Sequence, residues 1–270
     1  MPKARARKDR QAHLTDHSGE VVAALREIGN PRFGADVATD RGSSMEYLGI
    51  RFPALRRRVN EGFSFYDLSE EEILAIWNRL WCTSPYGDVL FAALEYYAPR
   101  VRKRVSPALW PVVRHWHQRV DNWCHSDGLS SLYSWILASD PADVYPQLEL
   151  WNQSADQWLR RISIVSLIHY SGTNAAFTPL DRVLPLVTTC LEDEREYVQK
   201  AVGWVLREIG QAFSARGRGL PRGAHRDDLG RRLQARRRTS QPRREGRAAG
   251  TPRGRSGLSR PSAKAKRRVR

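Results

Sequence analysis

The sequence predicts an all-α fold, a helical-repeat solenoid with a concave face, followed by a disordered basic tail. Three observations carry that expectation. Apolar residues recur with the helical period of about 3.6, and no segment alternates with the period of two that marks a strand. The helices come in pairs whose second members centre near residues 93, 130, 163 and 203, spaced by about 33–40 residues. The apolar pattern stops at Gly210, and Arg, Gly, Ala, Ser and Pro follow with scattered leucines.

Taken in order, residues 1–12 read as a solvated basic arm. His13–Ile28 reads as a first helix ended by Gly29, Asn30 and Pro31. Arg32–Ser44 has no period and reads as a loop. Pro53 suits the first turn of a helix that carries Leu55, Val59 and the triplet Arg56, Arg57, Arg58. Ser69 with Glu72 forms a capping box ahead of Ile73, Leu74, Ile76, Trp77, Leu80 and Trp81. Val89–Tyr97 follows, closed by Pro99. Leu109–Val120, Leu132–Ile136 and a shorter Asp143–Trp151 come next. Gln157–His169 is apolar on nearly every side, which marks a central helix, and Val183–Leu191 and Tyr197–Ile209 complete the set. Paired helices at this spacing belong to arrays of the HEAT type. The domain expected from this pattern covers 13–212, with 213–270 as the tail.

The formal net charge of +16 belongs to the ends of the chain. Gln211–Arg270 carries 20 Lys and Arg against 3 Asp and Glu, residues 1–10 carry 5 against 1, and Gln11–Gly210 holds 20 against 25. A nucleic-acid role for the body must therefore rest on how its arginines cluster. Arg51 and Arg56–Arg58 form one such group, and Arg100, Arg102, Lys103, Arg104, Arg114 and Arg119 another. The tail reads either as a phosphate-binding extension or as the product of a shifted reading frame. No apolar run approaches the roughly 18 residues of a membrane span. The three cysteines, Cys82, Cys124 and Cys190, suggest neither a disulfide framework nor a CxxC metal site. A cytoplasmic setting is expected.

Four residues are candidates for chemistry. On the helix VQKAVGWVLREIG, residues 198–210, the apolar stripe is Val198, Ala201, Val202, Val205 and Ile209. Trp204 lies about 130° from the stripe's centre, beside Lys200 and Arg207, so it either packs on a neighbouring helix or lines a binding surface. Arg161 stands within an apolar face formed by Trp158, Ile164, Val165 and Ile168. Its charge needs either a core carboxylate or a phosphate. In VDNWCHSDG, residues 120–128, Trp123 and Asp127 share a face if the run is helical. Otherwise Asp127 caps a helix that starts after Gly128. His115, His117, Cys124 and His125 match no zinc spacing, so the metal expectation is none.

YLGIRFPALRRRV (47–59), the Trp123 and Asp127 pair, SADQWLRRISIVSLI (154–168) and VQKAVGWVLREIG, in this order, resemble the AlkD-like DNA alkylation repair family over roughly residues 20–212. The resemblance implies a HEAT-like solenoid with a concave DNA-binding face. It also implies a monofunctional glycosylase that removes N3- and N7-alkylated purines without drawing the base into a deep pocket. Carried over residue by residue, Asp127 matches the family's catalytic aspartate. Trp123 and Trp204 match tryptophans at the lesion, and Arg161 matches an arginine on the DNA backbone. Arg51, Arg57 and Lys200 are further candidates for phosphate contact. The family's tyrosine upstream of the first motif has no clear match, and its last helix pair is replaced here by the basic tail.

The residue types suit that chemistry. An alkylated purine is cationic and leaves readily, so the barrier lies in an oxocarbenium-like sugar that an ionised Asp127 would stabilise while orienting water. No cofactor is expected, and the expected partner of a monomer is duplex DNA containing alkylated purines. A noncatalytic DNA-binding member of the fold and a HEAT-type protein-interaction scaffold are the alternatives.

Overall fold

The computed structural model describes residues 17–169 and 175–216, with side chains through 212. The arm at 1–12 and the tail, apart from the backbone of 213–216, lie outside them. The described residues form eleven α-helices, two 3-10 turns and no strand. A single parallel bridge joins Glu46 to Tyr86.

The first helix, α1, covers residues 17–27. The expected loop after it is a helix, α2 (Pro31–Arg41). Its signals are at its ends. The Asn30 side chain accepts from the backbone of Arg32 and Phe33, Pro31 occupies the first turn, and Gly42 ends the helix in the left-handed conformation. Only Gly34 of this helix is buried, which is why no apolar stripe marks it.

Helix α3 (Phe52–Glu61) has Pro53 in its first turn and buries Leu55 and Val59. Helix α4 (Glu70–Thr83) carries the capping box of Ser69 and Glu72. Helix α5 (Gly87–Val101) runs through Pro99 rather than ending before it. Pro99 lies in the last turn, where its missing donor costs a single bond. The expected helix over 109–120 is two pieces, α6 (Leu109–Val113) and a 3-10 turn at Trp116–Arg119. The break lets Trp116 stack on Trp81 with ring centroids 4.4 Å apart. The Trp81 Nε1 donates to the Trp116 carbonyl at 2.8 Å, and the Trp116 Nε1 donates to Asn78 Oδ1 at 2.8 Å.

Helices α7 (Trp123–Ser139), α8 (Pro141–Asn152), α9 (Gln157–Val165) and α10 (Leu180–Thr189) follow. The last, α11 (Glu196–Arg216), continues past Gly210, the expected end, and four residues beyond the expected boundary at 212. Its stripe of Val198, Ala201, Val202, Val205 and Ile209 is buried as the period requires.

Helices α3, α5, α7, α9 and α11 pack each on the next to form one row. In the second layer α4 lies on α5, α8 lies against α7 and α9, and α10 lies against α8 and α9. Two layers of alternating helices constitute a helical-repeat fold. Helix α9 is central, with neighbours in both layers, and five consecutive residues, Arg161–Val165, are buried in it.

Candidate functional site

Asp127 belongs to the second turn of α7, not to a cap. The cap is Asn122, whose Oδ1 accepts from the backbone N–H groups of Cys124 and His125 at 3.0 and 3.1 Å. Trp123 therefore begins the helix, and Trp123 and Asp127 share a face one turn apart. Gly128 lets α7 approach α5 closely, since a Cβ there would lie 2.5 Å from a Leu94 methyl and 3.8 Å from the Phe91 ring.

Arg161, from α9, meets Asp127 in a two-pronged pair. Its Nε donates to Oδ1 at 2.7 Å and its Nη2 to Oδ2 at 2.9 Å. A third prong, Nη1, donates to the Tyr197 carbonyl at 2.6 Å in the first turn of α11. Asp127 and Arg161 are 4% and 5% exposed, so three helices of the row converge on one desolvated ion pair. Burial pushes the Asp127 carboxyl above its ordinary range, and the hydrogen bonds and charge of Arg161 offset that push only in part. Of the two readings open for Arg161, the carboxylate partner is present.

Trp123 and Trp204 are both half-buried, and Trp204 packs partly against the core. Tyr197, Lys200 and Trp204 fall at positions i, i+3 and i+7, one stripe of α11 that starts beside the Arg161 guanidinium. Lys200 is exposed, pairs with Glu196 at 2.6 Å, and lies 5.2 Å from the Tyr197 ring centroid. Trp158 packs on the same ring at 5.0 Å. Asp127, Arg161, Trp158 and the Tyr197–Trp204 stripe thus form one neighbourhood.

Arg51 is the N-cap residue of α3 and Arg57 lies on that helix, two helices along the row from α7, and no hydrogen bond or ion pair joins them to Asp127 or Arg161. Arg51 is exposed over the Phe33 ring at 4.6 Å. Arg57 is exposed on the rim of an open depression with Pro53, Arg56 and Asn60, one stripe of α3. Several arginines of the basic clusters have structural work. Arg56 pairs with both oxygens of Glu95, Arg119 donates to the carbonyls of Cys82 and Ser84, and Arg100 donates to the Tyr96 carbonyl.

His125 has both ring nitrogens committed. Its Nδ1 accepts from Asn122 Nδ2 at 2.8 Å, and its Nε2 donates to the Gly87 carbonyl at 3.0 Å, which fixes the neutral tautomer. Complete burial lowers its pKa to about 4, with the Gly87 bond opposing. Burial pushes the Cys124 thiol up to about 11, so it stays protonated at neutral pH.

Sequence reading missed three contributors. Asn122 was legible as a cap once Trp123 opens the helix. Tyr197 acts through its backbone carbonyl, which no sequence pattern marks. Arg41 ends the unexpected α2 and lies against the rings of Tyr47 and Phe91.

The family model described as DNA alkylation repair enzyme matches residues 21–216. Among solved structures, the chain is similar to a predicted DNA alkylation repair enzyme from Enterococcus faecalis. That match has 16% identity and a TM-score of 0.57, and it covers 76% of this chain and 93% of that one. No curated protein matches. No helix among the described residues is long and apolar enough to cross a membrane. The fold likeness agrees with the two-layer helix row, and the family match spans every residue of the neighbourhood around Asp127. The chain belongs to the DNA alkylation repair enzyme family.

Proposed function

We propose that the protein is a DNA glycosylase that hydrolyses the N-glycosidic bond of N3- and N7-alkylated purines in duplex DNA, with Asp127 as its catalytic carboxylate. The observation that carries this reading is the desolvated Asp127, held in two-pronged contact by Arg161 between α7 and α9. A carboxylate in a low-dielectric surrounding is a strong stabiliser of a developing positive charge. As the bond breaks, the cationic base takes the electron pair and leaves neutral. The deoxyribose C1′ becomes oxocarbenium-like next to Asp127. Water then adds to C1′ and its proton passes to the carboxylate or to solvent, leaving an abasic site.

Arg161 serves two anions in turn. In the free protein both Asp127 oxygens are taken, and the carboxylate is 4% exposed. A backbone phosphate that draws the guanidinium toward itself frees an oxygen to face the sugar, so the carboxylate is uncovered only when DNA is present. Trp123 and Trp204 supply π faces to the cationic base, worth about 0.5–2 kcal/mol per ring. In this reading Lys200 meets a phosphate beside the site, and Arg51 and Arg57 meet the backbone farther along the duplex.

The same burial favours a second reading, in which the ion pair stays closed and the protein binds DNA without cutting the glycosidic bond. One assay separates the two. Purified protein incubated with alkylated duplex DNA is expected to release N3- or N7-alkylpurine, and Asp127→Asn is expected to abolish release while duplex binding persists. Full release by Asp127→Asn would remove Asp127 from the chemistry. Duplex binding with no release by the wild type would leave the binding reading.

A further inference from the structure

We infer that Arg41 is a second phosphodiester-binding arginine of the site, held ready on aromatic rings on the side of α7 opposite Arg161. The inference rests on the DNA reading above.

The guanidinium carbon of Arg41 lies 4.9 Å from the ring centroids of both Tyr47 and Phe91 and 6.0 Å from that of Phe52. These rings orient a half-buried cation without neutralising it. Arg41 also hydrogen-bonds the Tyr47 hydroxyl, and the remaining in-plane N–H donors of a guanidinium held over rings can meet a phosphate.

No described carboxylate forms an ion pair with Arg41. Two acids near it, Asp88 and Asp121, accept hydrogen bonds from other groups. Asp88 accepts from the backbone N–H groups of Leu48 and Ile50 at 2.7 and 3.1 Å. Asp121 accepts from Ser43 Oγ at 2.9 Å, from the Ser44 N–H at 2.6 Å and from Asn122 Nδ2 at 2.7 Å. A partly desolvated cation with no carboxylate at ion-pair distance is open to an anion from outside.

The location selects which anion. Helix α7 lies between α5, which carries Phe91, and α9, which carries Arg161. Phe91 is the ring that a Cβ on Gly128, the residue after Asp127, would meet at 3.8 Å. The charge of Arg41 also reaches Cys124, one turn before Asp127. Beside Arg41, Phe52 is 39% exposed, an apolar surface suited to a deoxyribose. Arg161 and Arg41 thus flank the Asp127 turn from its two sides, as a strand crossing that turn with phosphates on both sides of one nucleotide requires.

The test measures binding of the full chain to a short duplex by fluorescence anisotropy across a range of salt, for wild type, Arg41→Gln and Arg41→Lys. Each phosphate contact contributes about 0.9 to the slope of log affinity against log salt. Arg41→Gln is expected to flatten the slope by about that amount and to bind about tenfold more weakly at low salt. Wild-type slope and affinity in a folded Arg41→Gln would overturn the assignment. If that variant does not fold, Arg41→Lys decides, because it keeps the charge and loses the fork. Several-fold weaker binding is expected, and wild-type affinity would overturn the bidentate contact. Inorganic phosphate at matched ionic strength is expected to leave the duplex bound. Displacement by it would make Arg41 a free-anion site and overturn a strand contact. Wild-type binding without salt dependence would instead sink the DNA reading itself.

Discussion

Arg161 holds both carboxylate oxygens of Asp127, at 2.7 and 2.9 Å, and spends a third donor on the carbonyl of Tyr197 at 2.6 Å. One guanidinium therefore ties α7, α9 and α11 together at the place where the chemistry is proposed. Breaking such a pair differs from replacing it. Arg161→Met leaves a buried, unpaired carboxylate and is expected to cost about 3–5 kcal/mol of stability, whereas Asp127→Leu combined with Arg161→Met recovers most of that loss. Chemical denaturation of the two variants measures the difference. Equal instability would mean that packing, not charge, governs the site.

Asp127 must be ionised to stabilise a positive sugar, and its carboxyl is raised above the ordinary value of 3.8. As pH falls, protonation of Asp127 removes the active form earlier than for an exposed carboxylate. Release is expected to decline on the acid side at a pH above 3.8, and Asp127→Asn to lower release by about a hundredfold or more near neutrality. A pH profile of initial rates checks this, corrected for spontaneous base loss. An acid limb at or below 3.8 would argue against a desolvated catalytic carboxylate.

Trp123→Ala and Trp204→Ala are each expected to lower release by about twofold to thirtyfold, the range that a cation–π contact of about 0.5–2 kcal/mol predicts. The effect should be larger on cationic N7-alkylguanine than on duplex binding. Trp204 also packs on the core, so a melting curve accompanies its assay. Loss of stability with unchanged release per folded molecule would assign Trp204 to packing alone.

His125 makes stability depend on pH. Its folded pKa of about 4 lies below the ordinary histidine value of 6.5, so the unfolded chain takes up the proton first as pH falls. Stability from the neutral ring is complete above 6.5 and is lost on the way down to about 4, a change of about 3 kcal/mol. Urea denaturation at pH 7 and near pH 4.5 should show the loss, and His125→Gln should reduce it. An unchanged slope in that variant would place the dependence elsewhere.

Asn122 supports that histidine while capping α7, and the two hydrogens of its Nδ2 have their closest acceptors in Asp121 Oδ1 at 2.7 Å and His125 Nδ1 at 2.8 Å. Asn122→Ala is expected to cost about 2 kcal/mol or more, because it removes a cap and leaves buried donors and acceptors unmade. Asn122→Asp, which keeps the cap, should recover part of that. A neutral Asn122→Ala would show that the network contributes no net stability.

The helices legible in the sequence were those with an apolar stripe or a capping box. Ser69 with Glu72 announced α4, and Val198, Ala201, Val202, Val205 and Ile209 announced α11, because burial on one face leaves a period that can be counted. Helix α2 buries only Gly34, so its evidence lay in Asn30, Pro31 and Gly42 at its ends, and those residue types mark loops as readily as caps. Pro99 and Gly210 were read as stops, yet the helices run through both.

By itself the sequence determined the all-helical class, the paired repeat, the apolar stripe of α11 and the unusual standing of Asp127, Trp123, Arg161 and Trp204. Each follows from local spacing or from a residue type out of place in its helix. Only the tertiary structure decided which charges meet. Asp127 and Arg161 are 34 positions apart, and Arg161 reaches a carbonyl 36 positions further on. Whether a buried arginine finds a carboxylate or awaits a phosphate depends on how adjacent helices are seated against each other. That seating is set by the packing of whole helix faces, which no spacing within a single helix records.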